Sequence, residues 1–488
     1  MTTLDNIVSM CKRRGFIFPS SEIYGGLNGF YDYGPLGVEL LNNIKRYWWE
    51  DMTYRANVVG LDAAIMMHPK VWKASGHIDA FMDPMIDNRV SKARFRADVL
   101  IEEHIDKLNK KGKTDTAQKC QQQLDNADSN EKLYNIIIEY DIKDPVSGTN
   151  DWTEVRNFNL MFSTNTGAIK DENSTVYFRP ETAQGIFVNF KSVQETTRKR
   201  LPFGIAQIGK AFRNEVNTKN FLFRTREFEQ MEMQFFVKPG EEETWFDYWV
   251  KERLEWYKGL GFTADKLRIK EHTKLAHYAK RAVDIEYEFP FGWGEIEGIH
   301  SRTDYDLKQH QTFSGKKLEY IDPVDKSKIL PYVIETSAGA SRNLLAVLCN
   351  AYDIDTVTLN NDKEQNNDSE RTLLRFPNRI APIKAAILPL MSKGEMFDKA
   401  NEIYNSLIKV VPIEFDDTGS IGKRYRRQDE IGTPICITID SETITKGDVT
   451  VRYRDTTEQI SINENKLEEF LIKEFIIKPK MTSASSID

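Results

Sequence analysis

Two runs in the middle of the sequence alternate apolar and polar residues, which is the pattern of half-buried β-strands. The first is GIAQIGKAFRNE (204–215) and the second is TREFEQMEMQFFV (225–237). The short polar segment VNTKN follows the first run. Because successive side chains of a strand point to opposite faces, and a short polar connection lets two strands pair antiparallel, the pattern predicts a β-hairpin. This part of the chain is therefore expected to lie in an antiparallel sheet.

One face of the predicted hairpin carries both signs of charge. Arginine offers a phosphate two hydrogen bonds, glutamate accepts hydrogen bonds from an ammonium or amine, and phenylalanine stacks on a purine. The hairpin alone favours a plainer interpretation, a solvated face of paired charges. The polar face is expected to hold Gln207, Arg213 and Glu215 from the first run and Arg226, Phe228, Gln230 and Glu232 from the second, opposite Glu229, Met231 and Met233.

Two other segments place charged residues where a strand or loop meets a helix. YFRPETAQGIF puts Arg179 and Glu181 on either side of a proline just before a helix. VIETSAGASRNLL puts Glu335 and Ser337 on one face of a strand, then SAG as a turn, then Arg342 in the first helical turn. A helix N-terminus with an arginine is a natural anion site. By itself, however, SAGAS is also explained as an ordinary strand-to-helix turn.

Composition and length limit the class of protein. The chain has 488 residues, enough for two or three domains. It has no apolar run near the ~20 residues that span a bilayer, and its start lacks the pattern of a secretory signal. Its four cysteines are widely separated, which argues against a zinc ribbon or a disulfide framework and predicts a reduced, cytoplasmic protein. The net charge of −7 means that any nucleic acid must be held by local basic patches.

Several other segments complete the expected organisation. Pro35 opens an amphipathic helix whose apolar stripe is explained either by core packing or by a subunit interface. Residues 97–142 are highly charged and are predicted to form a peripheral helical insertion. The polar run 360–370 is predicted to be a surface loop. The apolar stripe of the helix that begins at Pro35 consists of Leu36, Leu40, Ile44, Tyr47 and Trp48.

The composition and the residue pattern of the sequence change near residue 378. RFPNRIAPIKAAILPL is proline-rich and opens an alternation of helical and strand patterns, which predicts a small α/β domain with a mixed sheet. We therefore expect a first domain over residues 1–378, with a mainly helical insertion at 97–150, and a second over 379–488.

Taken together, these segments resemble class II aminoacyl-tRNA synthetases, and specifically the homodimeric glycyl-tRNA synthetases. GPLGVELLNNIKRYWW is similar to the first motif of the class, FRNE and FRTREFEQME to the second, and IETSAGASR to the third. RPETAQGIF, GWGEIEGIHSRTDYDL and YRRQDEIGTPICITID add features of the glycyl type. The resemblance covers nearly the whole chain except residues 97–150 and the 360–370 run. It implies an α+β fold in which helices flank an antiparallel sheet, followed by an α/β anticodon-binding domain.

The resemblance also implies a reaction and its cofactors. Glycine would attack the α-phosphate of ATP, and the glycyl-adenylate would then be transferred to the terminal ribose of tRNA(Gly). Arg213 matches the arginine on the α-phosphate, Arg342 the one near the γ-phosphate, Glu215 the residue at the adenine amine, and Phe228 the residue under the ring. Mg²⁺ would arrive with ATP. The ATP-binding positions carried over are Arg213, Asn214, Glu215, Phe223, Arg224, Thr225, Arg226, Glu227, Phe228, Glu295, Ile296, Glu335, Thr336, Ser337, Ala338 and Arg342, with Arg213, Glu215 and Arg342 as the catalytic ones.

Glycine and tRNA sites follow from the same resemblance. No zinc is expected, because the cysteine pairs of some relatives are missing, and no histidine needs a catalytic role; His272 and His277 are read as structural residues in a helix. The basic cluster GKRYRRQ is the candidate tRNA contact, with Lys423, Arg424, Arg426 and Arg427, although a solvated basic loop explains it too. The glycine-binding positions are Arg96, Glu181, Phe228, Glu229, Gln230, Met231, Glu232, Glu335 and Ser337.

Two alternatives remain at this point. A non-catalytic nucleic-acid-binding subunit could share the fold, but it would be expected to lose the ATP arginines and the glutamates, which this chain keeps. A class II synthetase for serine, threonine or proline is the alternative among enzymes.

Overall fold

The protein is described by a computed structural model, which covers residues 3–167, 174–273, 275, 279–359 and 367–475. The chain divides into two compact units. The first consists of Met1–Ile65 and Glu181–Asp488, and the second of Met66–Pro180. No helix within the described ranges is long and apolar enough to cross a membrane. The four cysteines are free thiols.

The first unit begins with two helices and three short strands. Pro35 occupies the first turn of the second helix, as predicted, because a proline there has no N–H to leave unsatisfied. The stripe residues Leu40, Ile44 and Trp48 are fully buried in the core of this unit, so core packing explains the stripe. The elements are α1 (Leu4–Arg14), β1 (Ile17–Pro19), β2 (Tyr31–Tyr33), α2 (Pro35–Thr53) and β3 (Val58–Gly60).

The second unit carries its own hydrophobic core under three consecutive helices. Ile101, Cys120 and Ile137, one from each helix, are fully buried there. Two small three-stranded antiparallel sheets accompany the helices. The elements are β4 (Met66–Met67), α3 (Pro69–Ala74), α4 (His77–Ala80), β5 (Met82–Asp87), β6 (Arg94–Arg96), α5 (Ala97–Lys110), α6 (Thr114–Asp125), α7 (Asn130–Glu139), β7 (Arg156–Asn159), β8 (Ser163–Asn165) and β9 (Thr175–Phe178).

The chain then returns to the first unit and builds its main sheet. The elements from Glu181 to residue 374 are α8 (Ala183–Thr197), β10 (Phe203–Phe212), β11 (Glu227–Val237), α9 (Glu242–Gly259), β12 (Leu267–Glu271), β13 (Arg281–Phe289), β14 (Gly292–Thr303), α10 (Tyr305–Ser314), β15 (Tyr320–Ile321), β16 (Lys328–Ile329), β17 (Tyr332–Gly339), α11 (Ala340–Ala351), β18 (Tyr352–Leu359) and β19 (Asn367–Leu374). The strand order of the main sheet is β12-β13-β14-β17-β11-β10-β3. Its pairs are antiparallel except β10 with β3.

The predicted hairpin is confirmed as β10 paired with β11, in a register that sets Gln207 opposite Glu232 and Ala211 opposite Phe228. Some local predictions were wrong. SAG continues strand β17 rather than turning, and residues 367–370 of the predicted loop belong to β19 because they pair with β18. Residues 360–366 of that loop lie outside the described residues.

The last part of the first unit forms a second sheet with a separate hydrophobic core. Its order is β21-β20-β22-β23-β24, with β21, β20 and β22 parallel and the remaining pairs antiparallel, which confirms the mixed sheet. The elements are β20 (Ala385–Pro389), α12 (Glu395–Leu407), β21 (Ile413–Phe415), α13 (Ile421–Ile431), β22 (Ile435–Ile439), α14 (Ser441–Lys446), β23 (Asp448–Tyr453), β24 (Gln459–Asn463) and α15 (Leu467–Phe475).

Candidate functional site

The central strands of the main sheet form the floor of a cavity of about 220 Å³. Strand register decides which side chains reach it. Glu232 of β11 lies opposite Ser337 of β17, and Ser337 lies opposite Gly298 of β14. Alternate residues of β11, namely Phe228, Gln230 and Glu232, therefore share the cavity face. The sequence-predicted residues that line the cavity are Glu181, Arg213, Glu215, Phe223, Arg224, Thr225, Phe228, Gln230, Glu232, Glu295, Glu335, Ser337 and Arg342.

The charges of the hairpin separate onto its two faces. On the face away from the cavity, Lys210 pairs with Glu227 of the neighbouring strand, and Glu229 accepts from Lys45 of α2 at 3.1 Å. On the cavity face, Arg213 and Glu232 line the pocket. Paired charges thus occupy the face away from the cavity, whereas the charged residues of the other face line the cavity.

The cationic end of the cavity lies at the loop end of the hairpin, where residues 213–226 connect β10 to β11. The N–H of Arg213 donates to the carbonyl of Arg226 at 2.9 Å, which extends the pairing beyond β10, and the Arg213 guanidinium lies 5.3 Å from the Phe228 ring centroid. Arg224 donates to the Glu215 carboxylate at 2.8 Å. Since Phe228 and Glu232 are four residues apart on one strand, they are separated by roughly 13 Å at about 3.3 Å per residue.

The N-terminal turn of α11 completes this end. Gly339, Ser341 and Arg342 line the cavity. The Arg342 guanidinium stacks 4.4 Å from the Phe223 ring centroid and donates to the carboxylate of Glu295 at 3.2 Å. Partial removal from water acts to raise the pKa of Glu295, whose side chain is 46% exposed, but Arg342 outweighs this effect and the net pKa is lowered. Arginines beside a helix N-terminus suit a polyphosphate.

The acidic end holds three glutamates. Glu232 accepts from the hydroxyl of Thr182, and Gln234 donates to Glu232 at 3.2 Å and to Glu335 at 2.7 Å. Burial raises the pKa of Glu232 well above its ordinary value, and Glu335 and Glu181 raise it further. Burial would also raise the pKa of Glu335, yet Arg302 and His300 lower it to about 2. The ionised Glu335 therefore lies beside a Glu232 that retains its proton far more readily.

Two further residues of this wall, His300 and Arg302, were not among the sequence-predicted site residues. Arg302 donates to Glu335 at 3.0 Å, and His300 lies 3.0 Å from the same carboxylate. Both belong to the GIHSRTD part of the quoted segment GWGEIEGIHSRTDYDL, whose period-2 alternation continues through Gly298, His300 and Arg302. That alternation was the signal that could have identified them.

Other predicted residues do not present their side chains to the cavity. Asn214 is not among its lining residues, and Arg226 braces the hairpin by donating to the carbonyls of Glu215 and Asn28, both at 2.8 Å. Glu227 and Glu229 lie on the opposite face, in the ion pairs given above. The remaining ones are fully buried on the inward face of their strands: Met231, Ile296, Thr336 and Ala338. Alternation along each strand explains this, because a residue next to a cavity residue points the other way.

Arg96 belongs to the second compact unit. It donates to Asp98, with distances of 3.1 and 2.5 Å, and to Asp83 at 3.0 Å. Of the two histidines read as helical, His272 follows strand β12 and pairs with Asp284 at 2.9 Å, so the helical assignment was wrong. His277 lies outside the described residues.

The candidate tRNA cluster forms the first part of α13. Arg424 is buried, and its guanidinium donates to the backbone carbonyls of Pro389, Asp417 and Gly419. Arg427 donates to Asp416 at 2.7 Å. Lys423 is exposed, whereas Arg426 is half-buried. Arg424 and Arg427 therefore hold the loop before α13, and the structure does not present all four cations as one RNA-facing surface.

The described part of the chain holds no group of three or more His, Cys, Asp or Glu side chains arranged to bind a metal ion. Glu295 is a carboxylate at the arginine end of the cavity, and a carboxylate is a ligand that Mg²⁺ accepts beside phosphate oxygens.

Comparison with known proteins shows which families the sequence of this chain matches. Residues 163–351 match the family model "tRNA synthetase class II core domain (G, H, P, S and T)", and residues 384–474 match "Anticodon binding domain". Residues 83–127 and 113–160 match "Glycyl-tRNA synthetase insertion domain 1". Residues 97–150, which the motif resemblance does not cover, therefore also match the glycyl type.

Relatives match over nearly their full length. A glycine–tRNA ligase of Chlorobaculum tepidum is 56% identical over 475 residues, covering 96% of this chain and 99% of the relative. Glycine–tRNA ligases of Geobacillus thermodenitrificans and Treponema denticola are 52% and 50% identical, covering 96% and 95% of this chain and 97% and 95% of the relatives. The predicted α+β class II core with an anticodon-binding domain is confirmed. This chain belongs to the glycine–tRNA ligase family of class II aminoacyl-tRNA synthetases.

Proposed function

We propose that this protein activates glycine with ATP and transfers the glycyl group from glycyl-adenylate to the 3′ end of tRNA(Gly), in the cytoplasm. One observation carries the proposal. One cavity presents Arg213 and Arg342 at one end and a group of three glutamates at the other, which suits a polyphosphate and an ammonium group side by side. The attack of a carboxylate on ATP brings two anions together, so the site must neutralise charge and align the reactants.

The arginine end is proposed to bind ATP. Arg213 would contact the α-phosphate and Arg342 the γ-phosphate, with Phe228 under the adenine ring and Glu215 near its amine. Mg²⁺ would neutralise charge on the phosphates when bound. Both residues proposed for the adenine are contacted by an arginine: Arg224 donates to Glu215, and Arg213 lies over Phe228.

The acidic end is proposed to bind glycine. The carboxylates of Glu181, Glu232 and Glu335 would surround the ammonium group, and Ser337 would close the wall where a larger amino acid carries its side chain. A pocket for glycine must select by exclusion, since glycine has no side chain to recognise. A methyl group forced against buried carboxylates should cost more than the ~1–3 kcal/mol typical of a methylene in an apolar pocket.

Arg96 is proposed as a further substrate contact, on the resemblance alone. Eight further positions stay substrate-binding proposals on the resemblance alone, because they do not line the cavity: Asn214, Arg226, Glu227, Glu229, Met231, Ile296, Thr336 and Ala338.

The remaining proposals concern partners and boundaries. The domain boundary is proposed near residue 378, between the two sheets, and residues 379–488 would bind the anticodon arm. A homodimer is proposed from the resemblance. Because the apolar stripe of α2 is buried within the chain, any contribution of this helix to the dimer must come from its exposed face, which includes Val38 and Asn42.

Glycine-dependent exchange of pyrophosphate into ATP tests the proposal. Exchange is expected with glycine and not with alanine or serine. Exchange with serine, threonine or proline in place of glycine would favour the alternative synthetases. No exchange with any amino acid, together with retained tRNA binding, would favour the non-catalytic subunit.

A further inference from the structure

Two of the glycine-pocket carboxylates are joined behind the pocket by a chain of buried side chains. The Gln184 amide nitrogen donates to Glu181 at 2.9 Å and to Asp306 at 3.2 Å. Asp306 accepts two hydrogen bonds from Arg302, at 2.8 and 3.0 Å, and Arg302 donates to Glu335 at 3.0 Å. We call Gln184, Asp306 and Arg302 the relay.

The relay is almost entirely buried, although Arg302 also lines the cavity. Gln184 is fully buried, and Asp306 and Arg302 are 2% and 4% exposed. Buried polar groups are hydrogen-bonded in nearly all proteins, and losing one partner leaves the other unsatisfied at a cost. The relay therefore behaves as a connected unit that sets the positions of Glu181 on the loop before α8 and of Glu335 on β17.

His310 of α10 determines which way the Gln184 amide points. Its Nε2 lies 2.7 Å from the amide oxygen of Gln184. Burial lowers the pKa of His310, although Asp306 opposes this, so the ring is held neutral more strongly than in water. Neutral imidazole with hydrogen on Nε2 donates to the amide oxygen, and the amide NH₂ then faces Glu181 and Asp306. The reversed amide would bring its oxygen against two carboxylates with no hydrogen between them.

We propose that Gln184 and His310 are positioning residues for glycine recognition, acting through Glu181. This inference rests on the proposed function of the acidic end as the glycine pocket. His310 orients the Gln184 amide, and the amide holds one oxygen of Glu181, so that the carboxylate meets the ammonium group in a fixed rotamer. Preorganisation of this kind lowers the entropy lost on binding. The relay does not reach the arginine end of the cavity, so ATP binding should not depend on it.

The proposal is tested with His310→Leu, which removes the donor, and His310→Gln, whose amide N–H reaches a similar distance. Pyrophosphate exchange gives KM for glycine and for ATP separately. His310→Leu lets the Gln184 amide turn away, so that its hydrogen bond to the charged Glu181 is lost. The glycine KM should then rise roughly tenfold, the effect of one such bond, and the ATP KM should stay within about twofold. His310→Gln should restore most of the glycine KM. The control is Gln311→Ala, on the same helix, whose side chain accepts from the backbone of Leu318.

Folding is checked by thermal unfolding, and Gln184→Met supplies the same test if His310→Leu does not fold. An unchanged glycine KM in a folded His310→Leu or Gln184→Met protein would overturn the proposal. So would an equal rise in both KM values, or failure of His310→Gln to restore glycine binding while the fold is intact.

Glu181→Gln separates this inference from the proposed function. If Glu181→Gln leaves the glycine KM unchanged, the pocket assignment fails and the inference fails with it. If Glu181→Gln raises the glycine KM while His310→Leu and Gln184→Met do not, the pocket stands and only the positioning role is wrong.

Discussion

Glu232 of β11 and Glu335 of β17 accept hydrogen bonds from the same donor, the side-chain amide of Gln234. Register places Gln234 directly opposite Glu335, and Glu232 is two residues away on the same face. The pKa of Glu232 is raised by burial and by the neighbouring glutamates, whereas Arg302 and His300 lower the pKa of Glu335. The pKa values of these two adjacent carboxyl groups are thus shifted in opposite directions, because only Glu335 has cationic partners.

This pair predicts how stability depends on pH. A carboxyl group whose pKa is higher in the folded than in the unfolded state stabilises the fold fully below the unfolded pKa, and that contribution is lost as pH rises towards the folded pKa. For Glu232 the loss begins near the ordinary value of 4.5. Glu232→Gln cannot lose a proton, so it should be more stable than the unsubstituted protein by an amount that grows with pH, reaching roughly 0.5–2 kcal/mol near neutrality.

Denaturant unfolding at several pH values between 5 and 8 measures the effect of Glu232→Gln. Glu288→Gln, at a carboxylate of β13 paired with Lys266, is the control and should show no such trend. The same Glu232→Gln protein should lose affinity for glycine. A variant that is less stable than the unsubstituted protein at every pH would contradict the assignment of the raised pKa.

Arg213→Ala should abolish glycyl-adenylate formation without unfolding the protein. The guanidinium lines the cavity and would stabilise charge on the α-phosphate in the transition state, where loss of such a group typically costs several kcal/mol. Pyrophosphate exchange measures the loss. Lys210→Ala, three residues away on the outer face of the hairpin, should retain exchange. Near-normal exchange by a folded Arg213→Ala protein would rule out the role.

We expect the basic residues of α13 to have two different roles, some stabilising the fold and others contacting tRNA. Arg424→Ala should lower the melting temperature, because it leaves three backbone carbonyls without their donor. Charge reversal of Arg424, Arg426 and Arg427 together would therefore disturb the fold and cannot isolate tRNA binding.

Lys423→Glu is the cleaner test of tRNA contact, since Lys423 is exposed. Its tRNA KM should rise and the salt dependence of tRNA binding should flatten by about one unit of slope, while glycine-dependent exchange stays unchanged. Unchanged tRNA binding would identify Lys423 as an ordinary solvated lysine.

The homodimer is tested by sedimentation at micromolar concentration, where a monomer would contradict the proposal. Val38→Glu with Asn42→Arg should weaken the dimer if the exposed face of α2 contributes to it. Val324→Glu, at an apolar residue that is 83% exposed, is the matched control for adding a surface charge. A dimer that is unaffected by the α2 substitutions would place the interface elsewhere.

Sequence alone determined the features that depend on local periodicity and on residue type at fixed spacing. The alternation of 204–215 and 225–237 predicted the β10–β11 hairpin and the shared face of Phe228, Gln230 and Glu232, because side-chain direction in a strand follows directly from its position. Pro35 marked the start of α2 for a similarly local reason.

Only the tertiary structure decided which charges meet. Arg302 and His300 reach Glu335 because β14 pairs with β17, and His310 reaches Gln184 because α10 packs near α8, over 126 residues of sequence separation. Arg424 looked like an exposed cation in the sequence, yet it is buried because three backbone carbonyls from two separate segments converge on it. Local patterns set the direction of a side chain. Its partners depend on long-range packing, because they come from distant parts of the chain that no short segment of the sequence contains.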